Sequence, residues 1–211
     1  MLAVSDTGTN FAWSCAAAED LYQRKIRTPE VLFALAFTLD KVRPDAGRSI
    51  RLYQKCIDLL DRNPSASADP LLKIKAFFYL GYTFDKLKKK SKADDYLNSA
   101  LAALDRLNTA DRLDDGIGFY LLAYCFERQK LHEMSVEYYQ KAIVWFERNR
   151  PGSYYLRGSY YNIGLYYYNT MDYKNALIYW GLAYEKEPPS GYFKETYRKW
   201  LDAAREAVGF D

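Results

Sequence analysis

The sequence predicts an all-α fold built as a series of antiparallel helix pairs. Apolar residues recur at intervals of three and four positions through most of the 211-residue chain, and proline, glycine, asparagine and aspartate separate the periodic stretches. One two-helix pattern is written four times, which is typical of a solenoid whose pairs bury their apolar faces against their neighbours. Since 49% of the residues are hydrophobic, one array can form a core, and we expect a single domain over residues 1–211.

The first predicted element is an amphipathic helix over residues 10–27. Its apolar residues follow helical spacing, and they are Phe11, Ala12, Trp13, Ala16, Ala17, Leu21 and Tyr22. This helix is either a cap on the array or the second helix of a repeat whose first helix was lost by truncation. The sequence leaves both interpretations open.

Four repeats follow, over residues 29–64, 70–107, 113–149 and 155–188. The clearest copy is the last one, with Tyr160, Ile163, Gly164, Tyr167, Ala176, Trp180, Ala183 and Pro188. The same template fits Phe119, Leu122, Ala123, Phe126, Ser135, Tyr139 and Ala142, and also Phe77, Leu80, Gly81, Phe84, Ala93, Leu97 and Ala100. With one extra residue in its turn, it fits Leu32, Leu35, Ala36, Leu39, Ser49, Tyr53 and Cys56. Breaks at 43–47, 63–65, 150–152 and 188–189 contain proline, which cannot continue a helix interior and therefore sets helix ends.

A small residue occupies the same place in every first helix, at Ala36, Gly81, Ala123 and Gly164. Two helices approach closely only where side chains are minimal, so these positions predict contacts with the second helix of each pair. A leucine at Gly164 should overpack that contact. The intervals between the four positions are 45, 42 and 41 residues.

This pattern resembles that of the tetratricopeptide repeat (TPR) family, W-x2-L-G-x2-Y followed by A-x3-F and P, over roughly residues 29–188. The intervals exceed the usual TPR period of about 34 residues, so the turns or helix ends are extended. The resemblance implies an α-solenoid whose first helices line a concave groove. The last predicted element, an amphipathic helix over residues 190–208 with a charged outer face, is expected to cap the array.

Charge and hydropathy narrow the class of partner. With 30 basic and 27 acidic residues, the net charge of +3 is too balanced to predict a nucleic-acid partner. No apolar run approaches the ~20 residues of a membrane span, and residues 1–10 lack the order of a signal peptide. We expect a soluble protein without direct membrane insertion. The cytoplasm is favoured, and a periplasmic location stays open if the chain is a fragment lacking its export signal.

No set of residues predicts catalysis, a metal or a cofactor. His132 is the only histidine, and Val136 stands where a zinc protease needs a second one. Cys125 and His132 are about two helical turns apart, but the predicted helix ends between them. We therefore expect a protein that is not an enzyme. Cys15, Cys56 and Cys125 are expected to be free, with Cys56 as a small core residue.

The TPR resemblance implies that residues one position beyond the packing positions face the groove. They form an aromatic row of Phe33, Phe78, Tyr120 and Tyr161, a second row of Phe37, Tyr82, Tyr124 and Leu165, and a third row of Asp40, Asp85, Glu127 and Tyr168. The rows predict an aromatic surface edged by acids. The alternative, that the rings pack on one another or on a neighbouring helix, stays open. Asn162 is expected to bond either a peptide backbone or an adjacent helix.

An aromatic groove predicts a polypeptide ligand, because rings bury large apolar areas at low entropic cost and tyrosine hydroxyls add hydrogen bonds. The acidic row favours lysine or arginine in that ligand. We predict a non-enzymatic interaction module that binds a peptide or protein segment with apolar and basic residues, as a scaffold or assembly factor of a larger complex. A peptide-sensing regulator and a chaperone for a secreted substrate are alternatives. Ten tyrosines between residues 154 and 184 leave self-association open.

Overall fold

The computed structural model describes residues 11–41, 45–109, 115–189, 191 and 193–209. These residues form α-helices and one short 3₁₀ turn, Pro64–Ala66, with no strand among them. The helices are α1 Phe11–Gln23, α2 Pro29–Lys41, α3 Ala46–Arg62, α4 Leu72–Lys86, α5 Lys90–Thr109, α6 Gly116–Arg128, α7 His132–Asn149, α8 Tyr154–Asn169, α9 Tyr173–Lys186 and α10 Lys194–Val208. The predicted all-α fold is confirmed.

The chain divides into two compact units, one with α1 to α5 and the other with α6 to α10. In the first unit each helix contacts the next one along the chain, and α2 also contacts α4. In the second unit successive helices again contact each other, and α6 also contacts α8. Packing of each helix on its sequence neighbour, with first helices touching across a pair, is the arrangement of an α-solenoid. The single domain over residues 1–211 stays a prediction.

The four predicted repeats correspond to the pairs α2/α3, α4/α5, α6/α7 and α8/α9. In the break at 43–47, residues 43 and 44 lie outside the described residues, as do the predicted boundaries at residues 10, 113 and 190. Asp45 caps α3 by accepting a hydrogen bond from the backbone N–H of Arg48 at 2.9 Å. Capping by an aspartate satisfies one of the N–H groups that the helix itself leaves unbonded.

The turn inside three of the pairs has the same backbone conformation. Lys88, Lys130 and Met171 each lie two residues beyond a first helix and have φ values of 58°, 63° and 63°. The N–H of the following residue bonds back to a carbonyl five positions earlier, at 3.0, 2.9 and 2.8 Å in chain order. This is the Schellman arrangement of a helix C-terminus. The spacing of the three residues, 42 and 41, repeats the intervals of the sequence pattern.

The small residues of the repeat are buried where helices of a pair meet. Ala36 and Ala123 have no exposed surface. A methyl group on Gly81 would lie 2.8 Å from a leucine side-chain carbon, and one on Gly164 would lie 2.4 Å from Cδ1 of Trp180. The predicted close contacts are confirmed at Gly81 and Gly164.

Candidate functional site

In the first unit, the predicted groove residues Phe33, Phe37 and Phe78 are buried. The ring centroids of Phe37 and Tyr79 are 4.8 Å apart in an edge-to-face arrangement, and those of Phe33 and Tyr53 are 5.7 Å apart. Phe33 and Phe37 are buried because α2 contacts α1, α3 and α4, and residues 31–40 are all buried. Phe78 lies on α4, and its ring centroid is 5.2 Å from that of Tyr79. The surroundings of these three residues therefore match the alternative in which the rings pack on one another or on a neighbouring helix.

In the second unit, the predicted groove residue Tyr120 is also buried. Its ring centroid lies 5.5 Å from that of Tyr139 and 5.2 Å from that of Tyr155. A methyl group on Gly158 would lie 3.1 Å from the Tyr120 ring, so a helix backbone closes that side. Tyr120 thus packs internally rather than facing an open groove.

The other predicted site residues keep part of their surface in solvent. They are Tyr82, Asp85, Tyr124, Glu127, Tyr161, Asn162 and Tyr168, and all are half-buried. A ligand can reach such side chains without unfolding a helix. Their role in ligand binding stays a prediction.

Tyr161 and Tyr168 belong to an aromatic cluster under the C-terminal helix. The Tyr168 centroid lies 5.3 Å from Trp180 and 5.9 Å from Trp200, and the Tyr161 centroid lies 5.8 Å from that of Tyr197. Trp200 and Tyr197 are both residues of α10. The helix therefore covers part of the surface that the sequence assigns to the groove at the last repeat.

The second unit contains a cavity of about 190 Å³ between α6, α7 and α8. Two predicted site residues, Glu127 and Asn162, lie on its wall together with Leu165 of the second predicted row. The remaining lining residues are His132, Ser135, Val136, Tyr139, Tyr166, Asn169 and Thr170. This cavity joins an acid, amides and aromatic rings in one place, and it is the candidate site.

A hydrogen-bonded chain runs along the cavity wall from α6 through α7 to α8. The hydroxyl of Tyr139 donates to Oε2 of Glu127 at 3.0 Å, and Nδ2 of Asn162 donates to the Tyr139 hydroxyl at 2.8 Å. Of the two expectations for Asn162, the bond to an adjacent helix is the one observed. That bond uses one N–H of the amide and leaves its Oδ1 as an acceptor for another donor.

The electrostatics of this chain follow from its burial. Removal from water raises the pKa of Glu127, while the Tyr139 hydrogen bond and the nearby positive charges of His132 and Arg128 act in the opposite direction. Burial, with the adjacent Glu127 carboxylate, also raises the pKa of Tyr139 well above its usual value. Tyr139 therefore stays protonated and keeps donating to the carboxylate.

The chemistry of the neighbouring thiol is that of a packed side chain. Cys125 is buried, and burial raises the pKa of its thiol to about 12, so the reactive thiolate is not formed near neutral pH. Among the described residues, no group of three or more histidine, cysteine, aspartate or glutamate side chains is placed to hold a metal ion. In the same part of the chain, no helix combines the length and apolar character needed to span a bilayer.

Sequence reasoning missed several cavity residues. Tyr139 occupies the aromatic position of the A-x3-F pattern, which predicts a packing residue, although its hydroxyl donates to Glu127. Tyr166 and Asn169 lie outside the predicted rows, yet both line the cavity. A comparison of equivalent positions in the repeats could have found Asn169, because α4 and α6 end there with the basic residues Lys86 and Arg128.

No protein-family model matches the sequence, and no curated protein matches it significantly. Among solved structures, BtubC from P. vanneervenii is similar at a TM-score of 0.60 and 22% identity, over 99% of this chain and 85% of BtubC. The apo form of RapI is similar at a TM-score of 0.50 and 19% identity, over 92% of this chain and 54% of RapI. YrrB, described as a TPR protein with an unusual peptide-binding site, has a TM-score of 0.44 at 16% identity, over 91% of this chain and 83% of YrrB.

The likenesses to BtubC and RapI concern the fold alone. Together with the four-fold helical pattern and its repeated turn, they indicate that the fold of this chain is a TPR-like α-solenoid of antiparallel helix pairs.

Proposed function

We propose that this protein is a non-enzymatic interaction module whose second unit binds a segment of a partner polypeptide beside Glu127, as part of a larger complex. The observation that carries the proposal is the cavity whose wall joins the Glu127 carboxylate, the Asn162 amide and the Tyr166 ring. Polar groups set in a mostly apolar and aromatic wall are the usual makeup of a binding site.

The size of the cavity favours one side chain of a longer ligand over a free small molecule. Its volume of about 190 Å³ is below the roughly 300–1,000 Å³ of small-molecule sites. A partner segment would insert one side chain and lay its neighbours on half-buried groups such as Tyr124. Tyrosine at such a surface gives contact area and hydrogen bonding with few rotatable bonds.

Selection from a random peptide library displayed on phage tests this proposal directly. We expect the immobilised protein to enrich peptides that combine apolar and basic residues. Replacing Tyr166→Ala should weaken binding of an enriched peptide at least about tenfold, measured by fluorescence anisotropy, because an aromatic hot spot contributes about 2 kcal/mol or more.

The matched control is Ile178→Ala, which removes a 58% exposed apolar side chain on α9, away from the cavity wall. This variant should keep the affinity of the parent protein. Failure to enrich any peptide, or equal affinity of the parent and the Tyr166→Ala protein, would overturn the proposed function.

A further inference from the structure

In the first unit, an acid of the predicted acidic row is paired with a lysine of the next repeat. Asp40 is 5% exposed, and the Lys86 ammonium donates to its Oδ1 at 3.0 Å. Asp40 is the last residue but one of α2, and Lys86 is the last residue of α4. The chain thus neutralises this carboxylate with its own ammonium group.

The second unit has an acid at the same helix position as Asp40, but no lysine at the position of Lys86. Glu127 is the last residue but one of α6, and Asn169 is the last residue of α8. Asn169 precedes the left-handed residue Met171 by two positions, as Lys86 precedes Lys88. Asn169 therefore stands where the first unit has its ammonium.

A second difference between the units replaces a large side chain by a smaller one at the cavity wall. Asn162 lies two residues before Gly164, as Tyr79 lies two residues before Gly81. Tyr79 is buried and packs on the rings of its unit, whereas Asn162 is half-buried and lines the cavity. The wall beside Glu127 thus carries two neutral amides, those of Asn162 and Asn169. At the equivalent positions the first unit has a large aromatic ring and a lysine.

The Glu127 carboxylate accepts a hydrogen bond from Tyr139. His132 and Arg128 act on it through their charges, but among the described residues no ion pair with Glu127 is formed. A half-buried carboxylate of this kind pays a desolvation cost that an incoming cation would offset. The rings of Tyr139 and Tyr166 on the same wall add a surface that attracts cations.

From this internal comparison we infer that the cavity beside Glu127 accepts a primary ammonium group, carried by a lysine side chain of the partner segment. The inference rests on the proposed function and names the chemistry of its ligand. An ammonium group fits better than a guanidinium group, because Tyr139 already occupies Oε2 of Glu127. A bidentate arginine needs both carboxylate oxygens, whereas lysine binds as a point charge.

Four small probes test the ammonium site on the full chain. They are acetyl-lysine methylamide, acetyl-norleucine methylamide, acetyl-arginine methylamide and glycine methylamide, which carries its ammonium on the α-carbon. Each is titrated into ¹⁵N-labelled protein while the side-chain amide resonances of Asn162 and Asn169 are followed. We expect saturable shifts with the lysine probe, weaker binding of the arginine and glycine probes, and none with norleucine.

Two variants should remove lysine binding in different ways. Glu127→Gln removes the charge and should weaken the lysine probe at least about tenfold, as expected for a hydrogen bond to a charged group. Asn169→Lys recreates the pairing of the first unit inside the second and should weaken the probe by a similar factor. Asn169→Gln is the uncharged control and should retain binding, and the backbone NMR spectrum of each variant shows whether it is folded.

The outcomes separate the inference from the proposed function. Equal binding of the lysine and norleucine probes, or unchanged lysine binding by folded Asn169→Lys protein, would overturn the ammonium site. Preferred binding of the glycine probe would assign the site to a chain terminus instead, and preferred binding of the arginine probe would reject the point-charge argument. If the library yields peptides whose lysines can be replaced by norleucine without loss, the inference fails and the proposed function stands.

Discussion

Gly164 and Trp180 show how the absence of one side chain sets the distance between the two helices of a pair. Trp180 is fully buried, and its indole N–H donates to the backbone carbonyl of Tyr161 at 3.0 Å. The indole therefore lies across α8, and only a residue without Cβ leaves room for it. The sequence pattern predicted the small residue correctly, because close packing of helices requires it wherever a large ring faces it.

Replacing Gly164→Ala should destabilise the protein by about 1–3 kcal/mol, since the added methyl would overlap the Trp180 ring. Urea unfolding followed by circular dichroism measures this change. The control is Gly181→Ala in α9, where no atom lies within 4 Å of the added methyl. That variant should be stabilised by about 0.5–1 kcal/mol, because alanine favours a helix over glycine. Equal effects of the two substitutions would contradict the packing argument.

Glu127 carries a free-energy cost that depends on pH. Its pKa is raised in the folded protein, so its contribution to stability is present below the unfolded pKa and is lost as the pH rises through the folded pKa. We expect Glu127→Gln to be more stable than the parent at about pH 7, with the difference shrinking towards about pH 4. Unfolding in urea at both pH values measures the difference. A Glu127→Gln protein that is less stable than the parent at neutral pH would contradict this sign.

At the scale of the helices, the repeated turn carries a conformational cost. A left-handed residue other than glycine costs about 1–2 kcal/mol, and Lys130 has a φ of 63°. We expect Lys130→Gly to raise the free energy of unfolding by about 1 kcal/mol. The adjacent Gln129 has a φ of −83°, so Gln129→Gly should lower the free energy of unfolding instead. Thermal unfolding of the two variants gives the comparison, and a loss of stability with Lys130→Gly would refute the assignment of strain.

A buried ion pair ties α8 to the segment between α9 and α10. Arg157 and Glu187 form this pair, and both side chains are 1% exposed. Arg157 also donates to the carbonyl of Gly152 at 2.7 Å, and Glu187 accepts from the N–H of Phe193 at 3.2 Å. The pair thus connects the last repeat to the start of the C-terminal helix.

Glu187→Ala should cost about 3–5 kcal/mol, because it leaves the Arg157 charge buried without its partner. The exposed pair of Asp202 and Arg205, 58% and 56% exposed, provides the control. Asp202→Ala should change stability by less than about 1 kcal/mol. The test is chemical unfolding of both variants at the same salt concentration. A small effect of Glu187→Ala would show that the pair does not hold α10 in place.

The helices were more predictable than the candidate site. Apolar periodicity and proline breaks gave pairs that match the observed ones to within a few residues, because they report which face a helix buries. The groove rows assumed that one arc of each first helix faces solvent. That assumption fails for α2, which is buried on three sides and hides Phe33 and Phe37. The cavity is formed by side chains from three helices, and a local sequence pattern does not predict which side chains of different helices come together.

For the whole molecule, two compact units of helix pairs imply that stability is shared among neighbours rather than along the full chain. We expect Gly164→Ala to increase amide hydrogen exchange in α8 and α9 while α3 and α4 keep the protection of the parent protein. Exchange measured by mass spectrometry on both proteins tests this expectation. Equal loss of protection in all four helices would instead indicate one cooperative unit.

The pairing of Asp40 with Lys86, and its absence at Glu127 and Asn169, has an evolutionary consequence. Asparagine and lysine codons differ only in their third base, so one point mutation exchanges the ammonium group for an amide at this position. The exchanged residue lies at a helix end, where the small and aromatic positions that build the repeat are untouched. Gene duplication of such repeats can therefore generate new recognition preferences without first endangering the scaffold.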